Sequence, residues 1–453
     1  MQTDPFWNRL AEMVGKEYVT FDADRWLDGR WEDRRPKAVV RPGNRKQVRE
    51  VVLLSHSGKR TVAPAGGCSK QHLGGIPQRI DFLLSLDRLN RITDYQPAHL
   101  TVTVEAGVRM ADLAATLKAQ GQMLPLDPPF AAEATVGGVI ATNGSGPRRL
   151  AYGTARDMVL GVQFVAPEGK LAKSGGKVVK NVAGYDLAKL LIGSLGTLGV
   201  LTDMTFKVFP IPPVSATLVF GFADAAQALR AAHCILNSPF VPQALELVDS
   251  AAGSVMQLPP LSEFPFTLVV GAAGPGPVVE RISREMPPLL RSENSTEIAC
   301  LTGDAESKLW EKIQEFTPSF LRARPDGVVI KASVLLTQLG EMMATASRTG
   351  SENNLASATL ARAGTGIVYC YLWPQPEQDT ASSFERLVNA CKFLLKETER
   401  LGGRAIVEWA PASIKRIVNI WGTPGDDFAL MQRLKEQFDP RGILNPGRFY
   451  GGI

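Results

Sequence analysis

Three glycine-bearing tracts, far apart along the chain, hold the residues best suited to chemistry. They are Pro64-Ala65-Gly66-Gly67-Cys68-Ser69, then Thr135-Val136-Gly137-Gly138 running on to Asn143-Gly144-Ser145-Gly146, and Gly193-Ser194-Leu195-Gly196-Thr197-Leu198-Gly199. Glycine enters a tight turn without a side-chain clash, and successive backbone N–H groups in such a turn can converge on one anion, as phosphate-cradling loops do. In the first tract no long side chain stands between Pro64 and Ser69, which leaves the main chain open to a pyrophosphate. Any one tract alone reads as an ordinary tight turn. No GxGxxG opens a helix with an acid about twenty residues on, and no GxxxxGK is followed by Ser or Thr, so the single-loop nucleotide motifs are excluded. What remains is a nucleotide held by several separated segments.

Periodicity shows the elements that must position these tracts. Residues 37–40 read as a strand stopped by Arg41-Pro42-Gly43. A helix follows, with Asn44 as N-cap, Gln47 as its capping-box partner, Val48, Val51, Val52 and Ser55 on one face, and Gly58 as a left-handed C-terminal residue. A short strand at 61–63 runs into the first tract. Residues 100–105 alternate like a half-buried strand, and Met110, Leu113, Ala114 and Leu117 line a helical face before Gly121. Residues 159–165 and 171–173 flank Pro167-Glu168-Gly169-Lys170 as a hairpin, and Val200, Met204, Phe206 and Val208 keep period two. The run Phe209-Pro210-Ile211-Pro212-Pro213 is the best linker. Beyond it, strands at 217–220, 267–270, 328–334 and 367–373 interleave with helices at 225–236 and 382–401, the mixture expected of an α+β domain.

A chain of 453 residues with 45% hydrophobic and 21% charged residues is ordinary globular material for two folding units. The net charge of +5 is dispersed, and its densest cluster, 30–37, is short and mixed in sign, which argues against nucleic-acid binding. No apolar run reaches the roughly eighteen residues of a spanning helix, and the N-terminal residues do not read as a secretory leader. A cytoplasmic location without a transmembrane segment is expected, with attachment to the inner face of a membrane through partners left open. Cys68, Cys234, Cys300, Cys370 and Cys391 form no CxxC pair, and His56, His72, His99 and His233 never recur at i, i+4. No metal site is expected on this chain, so any iron–sulfur cluster belongs to a partner.

The runs PAGGCSKQHLGG, ATVGGVIATNGSGPRRLAYGTARDMVLGVQFVAPEGKL, GGKVVKNVAGYDLAKLLIGSLGTLGV and FDPRGILNPGRFY, in that order, resemble the FAD-binding proteins of the vanillyl-alcohol-oxidase, or PCMH-type, family. Within it, KNVAGYDL followed by GSLGTLGV, with VEWAPASIKRIVNIWG nearer the C-terminus, is similar to the FAD-binding subunits of bacterial glycolate oxidases. The resemblance implies an α+β fold. A helical segment (1–30) would precede a two-lobed PCMH-type FAD-binding domain (31–213), followed by an α+β cap domain (214–425) and a C-terminal segment (426–453) returning to the FAD domain.

The resemblance also implies roles. Gly66, Gly67, Cys68 and Ser69, entered through Ala65, would surround the FAD pyrophosphate. Thr135, Val136, Gly137, Gly138 and Asn143 would run beside ribityl and phosphate, Leu198, Gly199 and Val200 would meet the adenine end, and Asn445-Pro446-Gly447 would lie near the isoalloxazine. Relatives that tether the flavin through histidine carry it just after the first glycines, where this chain has Ser69, so a noncovalent FAD is implied. Cys68 reads as a small buried residue in place of a third glycine.

Catalytic relatives carry metal-binding histidines in the cap and an acid at the position of Leu195, and both are missing here. That favours an accessory subunit relaying electrons in the oxidation of glycolate to glyoxylate, partnered by a catalytic flavoprotein subunit and an iron–sulfur subunit. Two alternatives stay open: a self-sufficient FAD oxidase or dehydrogenase of another hydroxylated substrate such as lactate, and a flavin-free scaffold. In a catalytic chain Lys331 or Arg404 would hold the substrate carboxylate and His233 would be a candidate base, although each also reads as solvated surface. No catalytic base is assigned.

Overall fold

The computed structural model describes residues 4–23, 35–177, 184–375 and 380–453. The expected boundary at residue 31 and the Lys180-Asn181-Val182-Ala183 half of KNVAGYDL lie outside the described residues. The chain divides into two compact units, one of Met1–Ser145, Thr154–Ile211 and Thr423–Ile453, the other of Gly146–Gly153 and Pro212–Gly422. The short excursion Gly146–Gly153 into the second unit has no signature in the sequence.

In the first unit β1 (Val19–Thr20), β2 (Ala38–Val40), β3 (Val62–Ala65) and β4 (Phe82–Ser85) form a sheet in the order β1-β2-β4-β3, parallel except for β1. Parallel strands bury both faces and read as unbroken apolar runs. Val39, Val40, Val62, Phe82 and Leu83 are accordingly fully buried. The Pro5–Val14 helix seats Phe6 and Trp7 against Phe82.

The Arg45–Ser57 helix starts at Asn44, whose Oδ1 accepts the Gln47 N–H at 3.0 Å. Gln47 Oε1 reaches past the cap to accept from the Gly43 N–H at 2.6 Å. Val48, Val51, Val52 and Ser55 are buried together. Gly58 is not left-handed, with φ −87°, and the left-handed residue is Lys59 at φ +49°. The glycine serves packing instead, since a Cβ there would sit 3.3 Å from the Leu54 carbonyl oxygen.

Seven strands follow: β5 (Ile92–Gln96), β6 (Thr101–Glu105), β7 (Gln122–Met123), β8 (Val159–Val165), β9 (Leu171–Gly175), β10 (Val200–Lys207) and β11 (Phe209–Pro210). Five of them form an antiparallel sheet in the order β5-β6-β10-β8-β9, while β7 pairs with β11. The β8–β9 turn closes on Gly169 at φ +79°. Val200, Met204, Phe206 and Val208 are all fully buried. The Met110–Lys118 helix buries Met110, Leu113 and Leu117 but leaves Ala114 exposed, so its apolar stripe is narrower than expected. The first two residues of the expected linker are strand β11, with Pro210 opposite Gln122 at the end of a two-residue pair where its missing N–H costs nothing.

The second unit is built on one antiparallel sheet of β12 (Val214–Phe222), β13 (Ala244–Asp249), β14 (Phe266–Gly274), β15 (Thr296–Leu301), β16 (Val328–Ser333), β17 (Leu355–Arg362), β18 (Ile367–Pro374) and β19 (Arg404–Trp409). Its order is β15-β12-β14-β13-β17-β18-β16-β19. Helices Ala225–Leu236, Gly276–Leu290, Leu339–Glu352 and Thr380–Arg400 contribute Ala231, Met286, Met342 and Leu394 to a core with Phe220, Val270, Ile330 and Val368 from one face of the sheet. The opposite face is rich in polar and aromatic side chains. Among the described residues no helix is long and apolar enough to cross a membrane.

Two acids oppose each other across the five-stranded sheet. Asp203 is the register partner of Glu105, and both are almost fully buried. Glu105 accepts from Arg91 through the backbone N–H, Nε and Nη2, whereas Asp203 Oδ2 has no hydrogen bond and lies 3.6 Å from Arg45 Nε. Burial raises the Asp203 carboxyl above its ordinary range and the Glu105 charge adds to the rise, against the opposing pull of Thr202 and Arg45. A carboxyl raised in the folded state binds protons more tightly there than in the unfolded chain, so it weakens the fold progressively as pH climbs from about 4 through the raised value. Asp203→Asn is therefore expected to raise the midpoint of thermal unfolding at pH 7, with the gain shrinking towards pH 4. A gain independent of pH would show that Asp203 is not the cause.

Candidate functional site

The first tract leaves β3 at Ala65 and turns through Gly66, Gly67 and Cys68, the last in the left-handed region at φ +57°. Cys68 thus has the backbone of the glycine it was expected to replace. It is half-buried rather than buried, packed beside Ala63, Ala65 and Leu83. The smallness of Gly66 and Gly67 serves their protein neighbours. A Cβ on Gly66 would lie 2.0 Å from Thr135 Oγ1, and one on Gly67 would lie 1.7 Å from the Glu133 carbonyl oxygen. The two glycines let the first tract nest against the second.

The second tract was expected to be a loop. It is a helix, Val136–Thr142, with Thr135 as N-cap accepting from the Gly138 N–H and Asn143 ending it at φ +48°. Its start is pinned to the end of β6 by Val136 N–H to Val108 O and Gly137 N–H to Ala106 O, each 2.8 Å. Gly137 is required there, since a Cβ would sit 2.8 Å from Ala106 Cβ. The third tract adds to the other end of that helix. Gly193 and Leu195 donate their N–H groups to Ile140 O and Ala141 O at 3.0 and 2.9 Å, while Gly193, Leu195 and Gly196 all take positive φ.

The C-terminal segment closes the assembly. The Val62 N–H donates to Ile443 O and the Asn445 N–H to Val62 O, so residues 443–445 lie beside β3 as a short parallel extension. Asn445, fully buried at φ +45°, donates its Nδ2 to Leu195 O at 2.7 Å. Three residues on, the buried Arg448 guanidinium donates to Gln71 Oε1 and to the carbonyls of Lys70, Gln71 and Leu73. Lys435 Nζ donates to Thr197 O, Leu444 O and Asp439 Oδ2 at 2.8, 3.0 and 2.7 Å, and Asp439 in turn accepts the Ile443 and Leu444 N–H groups.

A pocket opens where these segments meet, with about 580 Å³ of space that includes open solvent at its mouth. Of the expected residues, Gly66, Gly67, Cys68, Ser69, Thr135 and Gly138 line it, while Ala65, Val136, Gly137, Asn143, Leu198, Gly199, Val200 and Asn445 do not. Val136 and Gly137 face β6, and Gly199 and Val200 pack on β8, where a Cβ on Gly199 would meet the Phe164 ring at 2.8 Å. Leu195, marked in the sequence as standing where catalytic relatives carry an acid, also lines the pocket, as do Lys70, Gln71, Arg448 and the Pro128-Pro129 pair, which escaped notice in the sequence. For Arg448 a signal existed, its place directly after Asn445-Pro446-Gly447.

The donor set suits a large anionic cofactor. The backbone N–H groups of Gly66, Gly67 and Ser69 reach no acceptor among the described residues. Arg448 is a cation whose hydrogen bonds above all go to neutral acceptors, and burial pushes its guanidinium down to about 10. Asn143 Oδ1 and Asn445 Oδ1 are buried acceptors with no hydrogen bond. A ligand with two phosphates and several hydroxyl and imino donors complements this set.

The candidates for direct chemistry are dispersed. Lys331 lies on β16, largely buried; Arg404 is exposed at the start of β19, and His233 is exposed on the Ala225–Leu236 helix. Among the described residues no group of three or more His, Cys, Asp or Glu side chains is arranged to hold a metal ion.

Two substitutions test this construction. Gly67→Ala drives a methyl into the Glu133 carbonyl, whose peptide is held between the Phe130 and Met110 hydrogen bonds, so it is expected to cost about 1–3 kcal/mol and to lower the cofactor content of the purified protein. Lys435→Met leaves the Asp439 carboxylate buried without its cation and is expected to cost about 3–5 kcal/mol in chemical denaturation. Adding Asp439→Asn should recover part of that loss, and full additivity of the two changes would contradict the pairing.

Residues 36–175 match the family described as FAD binding domain, and residues 211–449, more than half of the chain, match the family described as FAD linked oxidases, C-terminal domain. The chain is 26% identical to glycolate oxidase subunit GlcD of Bacillus subtilis (strain 168), over 92% of its own length and 89% of that relative. It is 46% identical to glycolate oxidase subunit GlcE of Escherichia coli (strain K12), over 28% of this chain and 37% of that one. D-lactate and D-2-hydroxyglutarate dehydrogenases are among its further relatives. The fold is that of p-cresol methylhydroxylase solved with substrate bound, at a TM-score of 0.79 and 18% identity over 98% of this chain and 97% of that one. FAD is its cofactor, and by these matches the chain belongs to the FAD-linked oxidases, as an FAD-dependent oxidoreductase with a PCMH-type fold.

Proposed function

We propose that the chain is the FAD-binding subunit of a glycolate-type 2-hydroxy acid oxidase, holding the cofactor noncovalently in the pocket of the first unit. The observation that carries this reading is the convergence of open backbone amides and a buried guanidinium in one pocket built from sequence-distant segments. Gly66, Gly67 and Ser69 present N–H groups and Arg448 presents positive charge to the pyrophosphate. Cys68 shapes the turn, with its Sγ 3.8 Å from Gly66 O. Thr135 and Gly138 hold the ribityl side through the capped helix, Asn143 and Asn445 supply acceptors at its margins, and Ala65, Val136, Gly137, Leu198, Gly199 and Val200 set the backbone that presents them. When bound, FAD supplies the two-electron acceptor for a hydride leaving the carbon that bears the hydroxyl.

The full-length likeness to one glycolate oxidase subunit and the strong partial likeness to another support an assembly with a second flavoprotein subunit as partner, and an iron–sulfur subunit is the partner proposed for onward electron transfer because the five cysteines of this chain form no CxxC pair. With Leu195 rather than an acid lining the pocket, the first reading keeps the chain as an electron relay. A second reading, a self-sufficient oxidase or dehydrogenase of glycolate or lactate, is favoured by one observation: the Lys331 ammonium is largely buried and close to a carboxylate, whereas a solvated surface lysine was expected.

Anaerobic titration of the purified, FAD-loaded chain with glycolate and both lactate enantiomers, followed at the flavin visible band, separates the readings. Slow bleaching that becomes fast when partner subunits are added is the expected result. Rapid bleaching by the isolated chain would establish the self-sufficient enzyme. A chain that purifies without FAD and cannot be loaded with it would sink both.

A further inference from the structure

Strand β9 forms one edge of the five-stranded sheet of the first unit, and its outer side is unpaired. The β8–β9 hairpin is bonded by the Ala166 N–H to Lys170 O at 2.9 Å and, at its open end, by the Gly176 N–H to Leu160 O at 3.1 Å. Bonded and non-bonded positions alternate along an antiparallel pair. Ala172 and Ser174 therefore turn their backbone groups towards β8, while Leu171 and Lys173 turn theirs outward. Among the described residues nothing pairs with those outward N–H and C=O groups. They are a short open template for an extended segment.

The same register sets the side chains beside this edge. Lys173 stands opposite Gln163 and Leu171 opposite Val165, so these four lie on one face. The Arg45–Ser57 helix covers that face over β8: Arg45 Nη1 donates to Gln163 Oε1, Arg49 Nε donates to Gly169 O at 3.1 Å, and a Cβ on Gly169 would come within 2.7 Å of Leu53. Over β9 the face is open, with Leu171 52% and Leu53 40% exposed. Around the two leucines Arg45, Lys46, Arg49, Lys170 and Lys173 are all exposed. Glu50 stands 3.9 Å from Lys46 and Glu168 3.5 Å from Lys170, while Asp203 is almost fully buried, 3.6 Å from Arg45. Further along, Lys177 and Lys189 are matched by Asp94 and Asp186. Arg49 and Lys173 have no acid within ion-pair distance among the described residues.

We infer that the β9 edge is a docking site for an acidic, extended segment of a partner protein, which adds to the sheet as a further strand. Its backbone pairs with Leu171 and Lys173, its carboxylates meet Lys173 and Arg49, and an apolar side chain covers Leu171 and Leu53. Charge complementarity selects this occupant. A second copy of the chain, adding edge to edge, would set Lys170 and Lys173 against their own kind, and like charges across strands oppose pairing. An anionic lipid surface answers the charge but brings no backbone to the open edge. The edge lies outside the residues that line the cofactor pocket, so the inference does not depend on which hydroxy acid the chain serves.

Fluorescence anisotropy of the FAD-loaded full chain with a labelled peptide, acetyl-Thr-Glu-Thr-Val-Thr-Glu-Thr-Val-amide, tests the site, since alternate positions place Glu and Val on one face of a strand. Binding is expected at about 0.05 M salt and to be about tenfold weaker at about 0.5 M. The peptide with Lys in place of Glu, and the peptide N-methylated at Glu and Val, are both expected not to bind. Lys173→Ala is expected to weaken the acidic peptide about threefold. Lys173→Pro is expected to weaken it at least about tenfold, because proline there removes an outward N–H without costing a bond to β8. An unchanged midpoint of thermal unfolding and unchanged flavin content show that the variants keep the fold; should Lys173→Pro lower the midpoint, the N-methylated peptide carries the same test of the edge. Failure of the acidic peptide to bind at low salt, equal binding of the lysine or N-methylated peptide, or equal affinity of folded Lys173→Ala and Lys173→Pro proteins would each overturn the inference. Cosedimentation with phosphatidylglycerol vesicles without peptide binding would assign the patch to a lipid surface and overturn it as well.

Discussion

One ammonium group holds the first unit to its shape. Lys435, near the end of the chain, donates to a carbonyl of the third glycine tract, to the carbonyl of Leu444 and to the carboxylate of Asp439, and so joins segments separated by more than two hundred residues. Its charge is tolerated because Asp439 neutralises it and because all three donors are used. With the node in place, Asn445 reaches Leu195 and Arg448 reaches the loop after the first tract. The pocket wall is therefore a set of main-chain turns held by a few buried polar side chains, which suits a ligand recognised through amides and charge rather than through shape alone.

Much of this was legible in the sequence. Alternation placed β10, the Gly169 turn marked the β8–β9 hairpin, and Asn44 marked the start of its helix, because in each case a local physical requirement chose the residue. The ordered motifs also announced a cofactor domain followed by an α+β cap. Strands β13, β15, β17 and β19 were not legible. β17, reading Leu-Ala-Ser-Ala-Thr-Leu-Ala-Arg, is poor in β-branched residues and lies in the interior of the sheet, where burial by neighbours overrides weak propensity. β13 carries Glu246, which breaks an apolar pattern and stands opposite Arg362 of β17 on the face turned away from the core.

In the pocket the sequence pointed to the right neighbourhoods and to only some of the lining. Glycines in the first tract signalled a tight approach, yet the atoms that approach belong to Glu133 and Thr135 rather than to a ligand. The second tract is helical because Thr135 caps it and Asn143 ends it, a local design that a reader watching for phosphate loops passes over. Arg448 and Gln71 were hidden for a different reason, since only the fold brings positions 448 and 71 to the same wall as position 67.

The closure of the first unit by residues 435–448 has a consequence for biosynthesis. A nascent chain that has emerged only through the third glycine tract has all three turns but neither Lys435 to tether Thr197 nor Asn445 and Arg448 to complete the wall. The second unit must be translated before those residues exist. The complete pocket wall therefore exists only once the polypeptide is nearly finished.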